Sequence, residues 1–299
     1  MVETIFGLIS CLFIFTSNFQ YWIKGKILKP CEKIVTAVSF SGIIFSVGNI
    51  TKFIFLVFSL EMSLMTYLVY TFYFTTMYAF FSGYWLIACL CFFFFMKINN
   101  FNPGFFSWIK MKIDSLVPHL ILTIEGLSIC LSVIYTILST RENAVNSTSS
   151  SVTNQTSYFL SAGPFQLFFL FWDFCIPVMI ATVTIGHIIV SLYKHTHRMR
   201  RNMGDGDGPS LKVHKRAACT LSSLFVLYII SYSLTIAGLF SNDDTLSWIY
   251  ELFSYSFPFL QSVIQILGNR RMLQNCEKIL NRCRQSICPI EVHVHTVST

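Results

Sequence analysis

The sequence predicts an all-α membrane protein: a bundle of seven transmembrane helices with the N-terminus outside and the C-terminus cytoplasmic. Three observations carry that expectation: long runs almost without charge, a one-sided distribution of lysine and arginine, and an unusually apolar composition. Of the 299 residues 54% are hydrophobic and only 12% charged, about half the charge of an ordinary soluble domain. A crossing takes about 20 apolar residues. In hydrocarbon such a run must be helical, because every backbone N–H has to bond within its own segment.

The runs fall at residues 4–23, 34–60, 66–96, 115–140, 164–193, 217–242 and 248–267. Lys52 interrupts the second, Glu125 the fourth and Asp173 the fifth. The third belongs to a stretch beginning at Met62 that is too long for one crossing, so Glu61 is placed in the preceding loop. Residues 1–270 form the bundle and 271–299 a short cytoplasmic tail. No removable signal peptide is expected, since no basic residue precedes the first run while Lys24 and Lys26 anchor its inner end.

Basic residues set the orientation. Lys24, Lys26, Lys29 and Lys33 follow the first run, and Lys97, Lys110 and Lys112 the third. Lys194, Arg198, Arg200, Arg201, Lys212, Lys215 and Arg216 separate the fifth from the sixth, and Arg270, Arg271, Lys278, Arg282 and Arg284 follow the seventh. The opposite loops hold Arg141 with Glu3, Glu61, Glu142, Asp243 and Asp244. Short loops rich in Lys and Arg stay cytoplasmic. The net charge of +7 is divided among these short loops, which speaks for topology and against nucleic acid as a partner. Asn146 and Asn154 head glycosylation sequons in the Ser/Thr-rich loop expected outside, whereas the sequon at Asn49 lies within the second run.

Several chemistries are excluded. No Lys lies in 248–267, so the last helix cannot carry a retinal Schiff base. His119 and His187 lack a paired His or acid at helical spacing, no loop has the glycine pattern that cradles phosphate, and no repeat of the kind that builds secondary transporters is evident. Neither metal nor cofactor is expected, nor is an enzyme. No Cys falls between Arg141 and Gly163, so no disulfide can tie that loop to the third helix. Cys276, Cys283 and Cys288 sit in the basic tail, where they are either S-acylated or plain thiols.

At this point the residues resemble a family. Trp85-Leu86, Leu90, Phe95, Lys97-Ile98, Asn100-Phe101, Trp108 and Lys110 match the third helix and its exit in the type-2 (bitter) taste receptors. Pro177 with Ser191–Thr196, then Pro209-Ser210, His214, Arg216-Ala217 and Tyr228, continue the match. Pro258, Ser262, Ile264 and Ile266-Leu267-Gly268-Asn269 complete it on the seventh helix. The Asp-Arg-Tyr, Cys-Trp-x-Pro and Asn-Pro-x-x-Tyr motifs of rhodopsin-like receptors are absent. The chain also departs from the family pattern. Cys11 and Gly42 stand where an Asn and an Arg are common, Phe80-Phe81 replaces an Asn-His, and Gln261 replaces a His. Losing a buried Arg together with its partner is coherent, since breaking one side alone is worse.

The resemblance implies a G-protein-coupled receptor for bitter small molecules in the plasma membrane. It would act through a heterotrimeric G protein of the gustducin-like class. The alternatives are a vomeronasal type-1-like pheromone receptor, disfavoured by Leu267-Gly268-Asn269 and Ser191–Thr196, and a seven-helix channel or transporter. Two intramembrane carboxylates, Asp173 one turn before Pro177 and Glu251 two turns before Pro258, are the candidate ligand contacts. Charged groups in spans are costly and face the bundle interior, and this pair suits a cationic or hydroxyl-bearing ligand. Thr76 and Phe80 fall where the family places pocket residues. Tyr84, Phe165 and Trp248 serve as pocket rim or as interfacial anchors, and Glu125 reads as structural or lipid-interface, ahead of ligand-binding. Lys97, Lys110, Lys112, His195, Lys215 and Arg216 are the expected G-protein contacts, alongside attraction to lipid headgroups.

Overall fold

The computed structural model describes residues 2–58, 62–99, 104–149, 168–169, 171–203, 209–240 and 244–287. Apart from short turns the described residues are helical: α1 (Val2–Ile23), α2 (Pro30–Phe58), α3 (Met62–Ile98), α4 (Phe105–Ser149), α5 (Ile176–Met203), α6 (Pro209–Phe240), α7 (Asp244–Gly268) and α8 (Arg270–Ile287). A π-helical turn, Phe171–Cys175, leads into α5.

Among the described residues six segments are long and apolar enough to cross a membrane: Val2–Ile23, Pro30–Ile54, Tyr70–Ile98, Phe106–Arg141, Phe171–Ser191 and Arg216–Ala237. The seventh expected run forms α7, but α7 is more polar than these six. The polar residues of its second half face inward: Gln261, Ser262 and Gln265 are all buried. In a membrane bundle, packing and interhelical hydrogen bonds hold helices together, because lipid is as apolar as the side chains it would displace.

Central α3 touches α2, α4, α5 and α6. Its spanning segment is 72% buried, against 17% for that of α4. The core runs along it through Leu86, Leu90, Met96, Ile113, Ile188 and Leu224. Glu125 of α4 accepts hydrogen bonds from Tyr78 (2.5 Å) and Ser82 (3.1 Å) of α3, the structural role its sequence position suggests.

The turns at the Lys/Arg-rich end are locally encoded. Gly25 ends α1 with φ 72°. Its N–H donates to Trp22 O and that of Lys26 to Tyr21 O, the pairing of a Schellman stop that favours glycine. Pro30 opens α2 at the first helical position, where its missing N–H costs nothing. Glu32, three residues into the helix, reaches back to accept from Lys29 N at 3.0 Å.

The junction of α7 and α8 explains the Leu267-Gly268-Asn269 motif. A Cβ on Gly268 would lie 2.5 Å from both Cγ2 and Oγ1 of Thr220, so glycine lets α7 meet α6. Arg216 Nε donates to Leu267 O at 3.0 Å, capping α7. Asn269 Oδ1 then accepts from Arg271 N at 3.1 Å and starts α8. Arg271 ties this corner to α1 and α2. It pairs with Glu32 at 3.2 Å, donates to Asn18 Oδ1, and lies over the Tyr21 ring at 4.1 Å.

Candidate functional site

A belt of polar groups crosses the bundle near the end opposite the basic loops. Asp173 sits in the π turn that leads into α5 and is 8% exposed, with no hydrogen-bond partner at Oδ1 among the described residues. Such turns interrupt the regular i→i−4 ladder and recur at functional sites. Tyr84 of α3 has Ser231 of α6, Asp173 and Tyr250 among its neighbours. Tyr250 of α7 neighbours Thr235 of α6, Glu251 and Tyr255. Glu251 pairs with Lys52 of α2, Nζ to Oε1 3.0 Å, and Tyr255 lies beside Lys52. The fold thus places Asp173 and Glu251 along one band that runs through α5, α3, α6, α7 and α2.

Thr76 and Phe80 lie one turn apart on α3. Phe80 stacks on Tyr84 (6.2 Å between ring centres) and tilts against Phe45 (5.5 Å). The Thr76 hydroxyl has no partner among the described residues. Below them Tyr228 donates to Gln261 Oε1 at 3.2 Å, so the glutamine that stands in for a histidine serves as an acceptor between α6 and α7. A void of about 20 Å³ beside Gly42, Phe45, Phe80, Tyr228 and Gln261 has room for one water.

Cys11 and Gly42 meet, as their joint departure anticipates. A Cβ on Gly42 would lie 2.8 Å from Cys11 Sγ, and that sulfur sits 3.0 Å from Ser262 Oγ. An arginine at position 42 would collide at its first side-chain atom.

Of the residues expected at the basic end, Lys97 pairs with Asp114 (2.8 Å), Lys110 Nζ donates to Asn99 O (2.7 Å) and Lys112 lies over the Trp108 ring (4.9 Å). Arg216 is engaged with Leu267 O. His195 and Lys215 lie on α5 and α6, with side chains outside the described residues. The Asn146 side chain, Asn154 and Phe165 also lie outside them. Trp248 is 73% exposed near the start of α7 and reads as an interfacial anchor.

In the sequence Lys52 is an interruption of the second run, and its pairing with Glu251 is a finding of the structure. The available signal was depth. Lys52 falls late in the second run and Glu251 early in the seventh, and in the expected antiparallel arrangement this sets both near one end of the bundle.

A second hollow, about 1020 Å³, lies between α3, α4 and α5 and is apolar. Its hydroxyls are satisfied internally: Thr123 donates to His119 O, Ser128 to Ile124 O and Thr184 to Ile180 O.

A family model described as "Taste receptor protein (TAS2R)" matches residues 1–284. The chain is similar to taste receptor type 2 member 7 of Rattus norvegicus, 28% identical over 94% of this chain and 93% of that protein. It is similar also to taste receptor type 2 member 8 of Gorilla gorilla gorilla, 28% identical over 96% and 95%. Against taste receptor type 2 member 8 of Homo sapiens identity is 25% over 96% and 95%.

Proposed function

Because this chain belongs to the type-2 taste receptor family, we propose that the polar belt from Asp173 to Glu251 is where a bitter small molecule binds. The chain is a multi-pass membrane protein and a bitter taste G-protein-coupled receptor, of a receptor family and not an enzyme family. The pheromone-receptor and channel alternatives are not favoured. The observation that carries the site is the concentration of polar and charged side chains at one level of an otherwise apolar bundle. Intramembrane carboxylates are costly and mark ligand pathways.

The belt lies in the outer half of the bundle, with the N-terminus outside and α7 crossing as the seventh span of a bundle formed by residues 1–270. A ligand that bridges α3, α5 and α7 there, with Thr76 and Phe80 at its side, biases the packing of these helices against one another. Differential affinity for two packings shifts their equilibrium. At the plasma membrane's inner face Lys97, Lys110, Lys112, His195, Lys215 and Arg216 meet a heterotrimeric G protein of the gustducin-like class. The Lys97–Asp114 and Arg216–Leu267 contacts hold two of these cations at helix ends. The tail, which α8 begins, lies along the inner leaflet.

Calcium imaging of cells carrying this chain with a promiscuous Gα subunit, challenged with a broad panel of bitter compounds, tests the reading. A dose-dependent response absent from mock cells is expected. Silence at confirmed surface expression removes the proposed ligand site.

Two further results are expected. Glu251→Gln weakens cationic agonists about tenfold, as one lost charge contact would, and leaves neutral ones unchanged at equal surface level. Equal potency for both classes takes Glu251 out of the site. Asn146→Gln combined with Asn154→Gln raises the gel mobility of receptor from cells, and an unchanged band means the sequons are empty.

A further inference from the structure

Lys52 is a charge that ligand recognition by Asp173 and Glu251 leaves without a role. An ammonium late in a membrane helix is costly, and Lys52 holds its head 3.0 Å from Glu251 Oε1 and 5.5 Å from the centre of the Phe72 ring. The pair is not sealed. The two side chains are 29% and 41% exposed, so the protein covers neither head completely. Any cation that approaches Glu251 therefore meets a carboxylate already occupied by a cation of the same charge on a flexible stem.

The neighbouring residues point to the other end of the ligand. Antiparallel packing of α2 on α3 sets Phe45 against Phe80, Gly48 against Thr75 and Lys52 against Phe72. The same register puts Asn49 opposite Thr76. Asn49 is 4% exposed, one turn deeper than Lys52 on the same face, and its Nδ2 has no partner among the described residues. Thr76 Oγ1 also lacks one. A buried donor without an acceptor is costly, and its presence calls for something that satisfies it.

We propose that Lys52 is a tethered competitor standing in the ligand's cation position on Glu251, and that the favoured agonists are amines with a hydrogen-bond-accepting oxygen. The agonist nitrogen replaces the Lys52 ammonium on Glu251. The oxygen accepts from Asn49 Nδ2, about 5 Å deeper by the helical rise over three residues. The displaced Lys52 head swings to water on its four-carbon stem. Neutral ligands leave the pair intact, so Lys52 sets a threshold for cationic ligands alone. This rests on the reading of Glu251 as a ligand contact.

The test is a set of calcium dose–response curves for a panel of aryl-alkyl amines, with and without a hydroxyl group, each paired with its uncharged N-acetyl derivative. The receptors are wild type, Lys52→Met, Lys52→Arg, Glu251→Gln, Lys52→Met with Glu251→Gln, and Asn49→Leu, all matched for surface level. In Lys52→Met the amines gain up to about fivefold in potency, the range that one partly exposed ion pair supports, while their N-acetyl partners do not move. Lys52→Arg keeps the competitor and gives no gain in amine potency, which separates charge from folding effects. Adding Glu251→Gln abolishes the gain. Asn49→Leu weakens the hydroxylated amines more than the plain ones.

An amine response that falls with Glu251→Gln but does not rise with Lys52→Met overturns the competitor and leaves the Glu251 contact standing. Amines unaffected by either change, or silence of every variant to the whole panel, overturn both. Equal loss of plain and hydroxylated amines in Asn49→Leu overturns the oxygen contact.

Discussion

Replacing Arg271 by alanine is expected to remove most of the receptor from the cell surface. Arg271 is the common partner of three elements at the inner corner: Glu32 of α2, Asn18 and Tyr21 of α1, and the start of α8. Glu32 is 7% exposed. Losing the guanidinium leaves that carboxylate buried and without its ion-pair partner, a change that costs on the order of 3 kcal/mol. Glu32 keeps the Lys29 N–H and Asn18 keeps Thr36 Oγ1, which it reaches at 2.7 Å, so the α2 start is weakened and not erased. Adding Glu32→Gln removes the orphaned charge and should restore part of the surface signal. Surface labelling and thermal unfolding of the two variants check this. Arg271→Ala at the wild-type level, or a double variant worse than the single, would show that the pair carries no such energy.

Gly268→Val is expected to be nearly as damaging, for a steric reason. The first added atom would lie 2.5 Å from two atoms of Thr220, whose hydroxyl is held by Arg216 O at 2.9 Å. Relief requires α6 and α7 to part, at a cost of about 1–3 kcal/mol for an overpacked contact. That movement also pulls Leu267 O from Arg216. Thr220→Ala with Gly268→Ala empties part of the space one residue fills, so this double variant should express better than Gly268→Val. Signalling normalised to surface level should fall further than expression, since the α6–α7 contact sits beside the expected G-protein face. Normal expression of Gly268→Val would mean the two helices have slack at this level.

Much of the bundle was legible because lipid imposes strict terms on a sequence. Uncharged runs of sufficient length have one conformation available, and the basic loops mark one face. Ends were less legible. The fourth run covers 115–140, yet α4 extends from Phe105 to Ser149, since a helix continues past the apolar run where residues such as Trp108 and Lys110 suit an interface. The π turn at Phe171–Cys175 was not visible, because a run apolar on all sides carries no phase from which an extra residue per turn can be read. Pairings across the bundle were hidden for a different reason. Lys52 and Glu251 are 199 positions apart, and nothing local to either names the other. Asp173 and Glu251 stood out singly because charge is rare in such segments, whereas Asn49 and the Thr220 seat for Gly268 carry no such mark. The Cys11–Gly42 contact was anticipated only as a paired departure from a family pattern, and its geometry supplies the reason: there is no room for a Cβ.

The hollow between α3, α4 and α5 gives the solvent of this protein a share in its architecture. Its walls offer hydrocarbon and rings such as Trp85 and Trp172, whose centres lie 6.4 Å apart, while every hydroxyl the hollow contains is turned back on its own helix. Such a wall matches the chemistry of an acyl chain and offers a polar molecule no free hydroxyl. The belt at Asp173 sits on the α5 side of that seam. The thermal stability of the extracted receptor is therefore expected to change with the chain length of the detergent that meets this wall.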